Sequence, residues 1–117
     1  MITTQNSNTE LGRIGEEKAI NFLKEKGYHI LAQNYRYRKD EIDIIAQLGK
    51  LLVFVEVKAR KNNYYGYPEE FVNKSKARNV IRAAQNYIIT KNWVAKIRFD
   101  IIAITGNDLV HFEDAFY

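Results

Sequence analysis

Asp43, Glu56 and Lys58 are the residues of this chain whose types and spacing suit chemistry. Asp43 sits in the run Asp40-Glu41-Ile42-Asp43-Ile44-Ile45-Ala46, and Glu56 and Lys58 close the run Leu51-Leu52-Val53-Phe54-Val55-Glu56-Val57-Lys58. Two carboxylates converging on one point suit a hard divalent cation such as Mg²⁺ or Mn²⁺, which takes oxygen ligands: one or two carboxylates, waters and a phosphate oxygen. The Val57 backbone carbonyl is a candidate third ligand. An ion so held polarises a phosphodiester and lowers the pKa of an attacking water. Lys58 can orient that water or stabilise charge developing on the phosphate. Metal-assisted phosphodiester hydrolysis is the chemistry this spacing predicts.

That chemistry requires the two runs to be neighbours. Both are apolar and rich in β-formers, and Gln47-Leu48-Gly49-Lys50 is a short glycine-containing connection, so they read as a β-hairpin. A turn centred on Leu48-Gly49 sets Asp43 opposite Phe54 and Glu41 opposite Glu56. Asp43 and Glu56 are then diagonal neighbours, roughly 7–8 Å apart at the backbone. Alternation predicts that Glu41, Asp43, Ile45, Leu52, Phe54, Glu56 and Lys58 share one face, and a one-residue slip would separate Asp43 from Glu56. The competing reading is plain cross-strand ion pairing of Glu41, Asp43, Glu56 and Lys58 on a solvated face. Ile45, Leu52 and Phe54 on that face weigh against it, because charges on a covered face need compensation.

Around the hairpin, Thr9 can N-cap a helix that Gly27 ends. Residues 1–8 read as a flexible N-terminal leader and 9–117 as a single domain. Leu11, Ile14, Ala19, Ile20, Phe22 and Leu23 form the helix's apolar stripe; Glu16 falls into it, whereas Glu17 can face water. A carboxylate there is costly unless paired or near a metal. Glu16 therefore either caps or salt-bridges at the edge of the face, or reaches the Asp43–Glu56 site through a water. Gly12 and Gly15 inside this helix predict a close approach or a bend. Tyr28 to Tyr37 reads as the first strand, ahead of the hairpin. A second helix runs from an Asn73 cap to about Thr90, burying Ala77, Val80, Ile81, Ala84 and Ile88. Lys96 to Ile104 follows as a fourth, central strand, able to join the sheet in parallel after its crossover helix. Leu109 to Phe112 is a short fifth strand. The order is αβββα followed by ββ, an α/β fold.

At 117 residues, nearly half of them apolar or aromatic, the chain can build a core without staples. It has no cysteine, which removes disulfides and thiolate metal sites. The polar start, Met1 to Asn8, lacks a secretory pattern, and no apolar run is long enough for a bilayer, so a cytoplasmic protein without membrane partners is expected. The net charge of +4 and pI near 9.3 favour an anionic partner such as nucleic acid. Candidate phosphate contacts are Arg36 and Arg38, interleaved with Tyr35 and Tyr37, then Arg60 and Lys61 entering a tyrosine-rich loop, and Lys74, Lys76 and Arg78 in the early turns of the second helix. Basic and aromatic groups together suit phosphate contact plus base stacking, although each is equally an ordinary surface residue. Cations at a helix N-terminus oppose its dipole, a cost that an anionic ligand offsets. His29 and His111 have no metal-ligand spacing and read as structural or surface residues. No nucleophile setting for serine or threonine and no glycine-rich phosphate loop is present.

Taken together, Gly12-Arg13-Ile14-Gly15-Glu16, Glu41-Ile42-Asp43, Val53-Phe54-Val55-Glu56-Val57-Lys58-Ala59-Arg60 and Arg98-Phe99-Asp100 resemble the YraN-type family of the PD-(D/E)xK nuclease superfamily, near the archaeal Holliday-junction resolvases. The likeness spans about Leu11 to Phe112. It implies a three-layer, restriction-endonuclease-like αβββαβ core with a mixed central sheet flanked by two helices. By motif matching it makes Asp43 and Glu56 the metal carboxylates, Lys58 the catalytic lysine and Glu16 the helix-borne acid. Two departures stand out: Asp40 precedes Glu41 where the family typically has glycine, and no proline precedes Asp43. Neither removes a proposed ligand. The resemblance implies an Mg²⁺- or Mn²⁺-dependent endonuclease acting on DNA in preference to RNA, with branched or junction DNA a candidate substrate and a homodimer a candidate assembly, since two strands must be cut. Fold kinship does not fix activity. The alternatives are a catalytically inactive nucleic-acid-binding module and a protein-interaction domain with a structural acid cluster; retention of Asp43, Glu56 and Lys58 together favours the nuclease.

Overall fold

The structure, a computed structural model, describes residues 2–60 and 74–116, with side chains described from residue 10 onward. Helix α1 (Ile2–Glu25) leads into strands β1 (His29–Tyr37), β2 (Asp40–Leu48) and β3 (Leu51–Arg60), then helix α2 (Lys74–Lys91) and strands β4 (Ile97–Thr105) and β5 (Asp108–Phe112). The strands form one sheet in the order β1-β2-β3-β4-β5. All neighbours are antiparallel except β3 and β4, which pair in parallel with Leu52 opposite Ile97 and Arg60 opposite Thr105. This is the mixed, three-layer α/β arrangement that the resemblance implied, and the crossover helix makes β4 parallel as the order of elements predicted. The middle strand, however, is β3; β4 lies between β3 and β5.

Alternation on β3 explains the layers. Val53 and Val55 pack with Ala19, Ile20 and Leu23 of α1, while Leu52 and Phe54 pack with Val80, Ala83, Ala84 and Tyr87 of α2. A strand covered on both faces must be apolar at consecutive positions, which is why Leu51 to Val55 carries no polar residue. On α2 the buried stripe differs from the expected one: Ala83 and Tyr87 are buried with Val80 and Ala84, whereas Ala77, Ile81 and Ile88 flank it. The Tyr87 ring, edge-on to Tyr35 and Phe54, fills the space instead.

Helix α1 begins at Ile2 rather than near Thr9, because Thr3 to Asn8 holds no proline or glycine to stop it. It ends as expected: Gly27 takes φ +94°, its N–H donates to the Lys24 carbonyl, and the Tyr28 N–H donates to that of Leu23, a left-handed glycine cap. Of the two glycines inside α1, only Gly15 marks a close approach. A Cβ there would lie 2.6 Å from the Ala59 Cβ, whereas Gly12 faces nothing within 4 Å. Gly15 thus lets α1 ride directly on β3, one residue before Glu16. The Asn73 cap, Lys61 and the tyrosine-rich stretch from Tyr64 to Tyr67 lie outside the described residues.

Candidate active site

The hairpin turn decides which acids meet. Gly49 and Lys50 form a two-residue turn, with Gly49 at φ +60° in the first central position, where glycine is favoured. Leu48 therefore opposes Leu51 and Ile44 opposes Val55. This register differs by two positions from the expected one, which had the turn one residue earlier. It keeps Asp43 and Glu56 in step but corrects their relation: continuing the ladder brings Asp43 beside Glu56 rather than diagonal to it. The ladder itself stops at Ile44 and Val55. Beyond it the Val57 N–H donates to Asp43 Oδ2 at 2.8 Å, so a carboxylate replaces the backbone carbonyl a continued strand pair would supply. In a strand the N–H and C=O of one residue point to the same side, so the Val57 carbonyl faces the same gap.

The strands are also kinked here. Ile42 and Ile45 both pack against α2, which strict alternation forbids. Ala32 and Tyr35 on β1 do the same. Between them Asn34 adopts φ +51°, and the flanking pairs Gln33–Ile44 and Tyr35–Ile42 place it opposite Asp43. The expected shared face is therefore corrected. Ile45, Leu52 and Phe54 do share the α2 face, but Glu41 leaves it, because the alternation inverts at the kink. With its amide oriented to satisfy its neighbours, Asn34 Nδ2 lies 2.9 Å from Glu41 Oε2 and 3.2 Å from Glu16 Oε1. The helix-borne Glu16 is thus tied to the kink, near the hairpin acids.

Electrostatics at the gap are unbalanced. Glu56 is only 4 % exposed. Lys58 Nζ and Lys76 Nζ lie 3.4 and 3.3 Å from its Oε2, while Oε1 is buried without a partner among the described residues. Burial, followed by the negative charge of Glu56, pushes the Asp43 carboxyl up to about 7; Glu16 adds to the push, and the Val57 N–H and Lys76 oppose it. Burial likewise raises Glu16, against the Asn34 hydrogen bond, with Glu41 and Glu56 adding repulsion. Among the described residues no three acids or histidines surround one point as a ready-made metal cage. Two carboxylates are nonetheless enough for Mg²⁺, which keeps several waters. An orphaned buried oxygen beside a carboxyl that resists ionisation is the donor set a dication would satisfy, so Asp43 and Glu56 fit such an ion.

The basic residues divide. Arg36 is exposed, with Glu41 at 3.6 Å. Arg38 sits in the β1–β2 turn at φ +60°, its guanidinium 5.3 Å from the Tyr37 ring centre. Lys74 and Arg78 are exposed at the start of α2. Arg60 closes β3, its carbonyl accepting the Gly106 N–H. Lys76 differs from all of them, because it reaches the buried Glu56 instead of lying on the periphery.

Two arrangements escaped the sequence reading. Asp40 is buried and pairs with Arg82, Nε to Oδ2 at 2.9 Å, tying α2 to the first residue of β2. Asp100, fully buried, accepts from Arg98 Nε and Nη2, His111 Nε2 and the Asp114 N–H. Arg98 and Asp100, two apart on one strand and so on one face, were the available signal; the partners His111 and Asp114 come from chain that follows the next turn. His111 is structural, as expected.

The model of the uncharacterised protein family UPF0102 matches residues 15–104. Similar proteins include the UPF0102 protein of Cytophaga hutchinsonii, 49% identical over 104 residues that cover 88% of this chain and 92% of the relative. Those of Flavobacterium psychrophilum, 44% identical over 112 residues (92% and 94% covered), and Persephonella marina, 43% identical over 106 residues (90% and 91% covered), are comparable. The matched span contains Glu16, Asp43, Glu56, Lys58 and Lys76.

Proposed function

We propose, from the premise that this chain belongs to the uncharacterised protein family UPF0102, that it is a divalent-metal-dependent phosphodiester hydrolase of the PD-(D/E)xK kind, acting as an endonuclease on DNA. The observation that carries the reading is the unbalanced pair: Glu56, buried with an orphaned oxygen, beside an Asp43 held up to about 7 at the point where the β2–β3 ladder opens. A plain structural ion pair would be balanced, and this pair is not.

Asp43 and Glu56 would hold Mg²⁺ or Mn²⁺, with the Val57 carbonyl alongside. Such an ion supplies positive charge that polarises a phosphate oxygen and acidifies water. Lys58, beside Glu56, is placed to stabilise charge developing on the scissile phosphate. Glu16, raised by burial and oriented by Asn34, is placed to accept a proton or to fix a water at the edge of the site. Arg36, Arg38, Arg60, Lys74 and Arg78 supply backbone phosphate contacts, with Lys61 joining them from outside the described residues. Branched or junction DNA is the substrate class to test first, and paired cuts in two strands call for a homodimer. Among the described residues no helix is long and apolar enough to cross a membrane, and a cytoplasmic setting, with access to DNA, belongs to this reading.

The test is cleavage of labelled linear, flapped and four-way-junction DNA, and of RNA, with Mg²⁺, Mn²⁺ or chelator, by the wild type and by an Asp43→Asn/Glu56→Gln variant purified alongside. Metal-dependent cutting by the wild type alone supports the proposal. Cutting by both points to a contaminant. Salt-sensitive DNA binding without cutting would replace the enzyme with a non-catalytic binding module.

A further inference from the structure

Glu56 carries more cation than a single catalytic lysine requires. Lys58, two residues along the same strand, and Lys76, from the first turns of α2, both approach Oε2, at 3.4 and 3.3 Å. The other oxygen is buried and has no partner among the described residues. Lys76 also acts on Asp43, opposing the effects that raise it. One ammonium thus serves both carboxylates proposed to hold the metal, but as a monovalent donor at the rim it reaches only half of Glu56. Lys58 is fixed to β3, the strand that carries Glu56. Lys76 is not: its side chain is 36% exposed, and its long stem lets the head group move between a buried carboxylate and solvent without disturbing the helix.

From this geometry we infer that Lys76 is the resident counter-ion of the site, seated on Glu56 when no divalent cation is bound and released toward a DNA phosphate when one is. This rests on the nuclease reading and adds a coupling to it. A dication at Glu56 repels both ammoniums; Lys58 is held beside it by its strand, whereas Lys76, reaching in from α2, can swing out to solvent, so Lys76 is the one displaced. The released ammonium stands beside the scissile position as a further phosphate contact. Metal binding and DNA binding then reinforce each other, as reciprocal linkage requires. Lys76 is a positioning residue in this account; the reacting groups remain those on the sheet.

The experiment compares wild type, Lys76→Met and Lys76→Arg. Methionine keeps the stem and helix propensity without the charge. Mn²⁺ binding is followed by calorimetry in the absence of DNA. Removing the competing cation should tighten Mn²⁺ about fivefold, the factor equivalent to a modest charge–charge interaction, and Lys76→Arg should return it toward the wild-type value. Duplex DNA binding is then measured against salt with Ca²⁺ or with chelator. In wild type Ca²⁺ should steepen the log–log salt slope by about one phosphate contact, and in Lys76→Met it should not. Equal Mn²⁺ affinity in all three proteins, or a slope that responds to Ca²⁺ equally in all, would overturn the role of Lys76 and leave the nuclease reading standing. Failure of every protein to bind Mn²⁺ would overturn both.

Discussion

Two acids lie almost equally deep in neighbouring strands and live opposite electrostatic lives. Asp100 on β4 is fully buried, opposite Val55 in the β3–β4 register. Glu56, the next residue on β3, is 4 % exposed. Asp100 is saturated: Arg98 holds both its oxygens, His111 and the Asp114 N–H complete the set, and Lys26 in turn holds His111 through Nδ1 at 3.1 Å. Burial alone would push Asp100 up, yet these donors hold its carboxyl below the ordinary range, and the Arg98 guanidinium is raised in return. Glu56 has two ammoniums on one oxygen, no partner among the described residues on the other, and a second carboxyl beside it. The contrast separates an acid that fastens the fold from one kept short of partners, which is how a ligand-binding charge differs from a structural one.

The sharpest way to break this comparison is to neutralise each acid in turn. Asp100→Ala should cost about 3–5 kcal/mol in urea unfolding, because it strips a buried network and strands Arg98 and His111. Glu56→Gln should change metal-free stability by no more than about 1 kcal/mol, since Lys58 and Lys76 are exposed enough to rehydrate, while abolishing metal-dependent cleavage. A loss as large as that of Asp100→Ala would make Glu56 structural.

The pH dependence of stability sharpens it further. Asp43, raised from an ordinary 3.8 to about 7, binds a proton in the folded chain where the unfolded chain has released it. Without metal, stability should therefore fall as pH rises from about 4 to about 7. The stabilising effect of the depressed Asp100 is present above its unfolded pKa and is lost only at more acid pH, so it does not change across that window. Asp43→Asn should reduce the slope, leaving the smaller part due to Glu16, whose carboxyl burial also raises, and should raise metal-free stability at pH 8 by about 1–2 kcal/mol; saturating Mg²⁺ should lessen the decline in wild type. An unchanged slope in Asp43→Asn would place the titration elsewhere. Lys58→Ala should act on chemistry and leave stability and binding nearly alone, with about 10- to 100-fold slower cleavage and less than about threefold change in DNA affinity. Equal losses in both would make Lys58 a simple phosphate contact.

The sequence carried the fold well where hydrophobic pattern dictates it. The hairpin, the crossover and the doubly apolar β3 follow from period and composition. It carried the site less completely. The turn was placed one residue early because Gly49 fits either central position of a tight turn, and only the folded strands select the first. The kink at Asn34 was illegible, since an asparagine at φ +51° is set by what the neighbouring strand and α1 demand. The Asp100 network depends on Tyr28 and Arg98 meeting across the sheet, and on chain beyond the β4–β5 turn. Lys76 read as one of several surface cations, because nothing local distinguishes a lysine aimed at a buried acid from one aimed at water.

The parallel pairing of β3 with β4 has a kinetic consequence. Leu52 meets Ile97 only after the whole intervening crossover is in place, so this is a contact between distant parts of the chain, whose closure entropy precedes its reward. Asp43 on β2 and Glu56 on β3 share a local hairpin, but Lys76, which pairs with Glu56, stands on the crossover helix. The two carboxylates can therefore meet early, whereas the buried form of the site that a divalent cation would occupy waits for the crossover. A bound cation would then act mainly as a brake on unfolding, raising the loaded protein's equilibrium stability along with its lifetime.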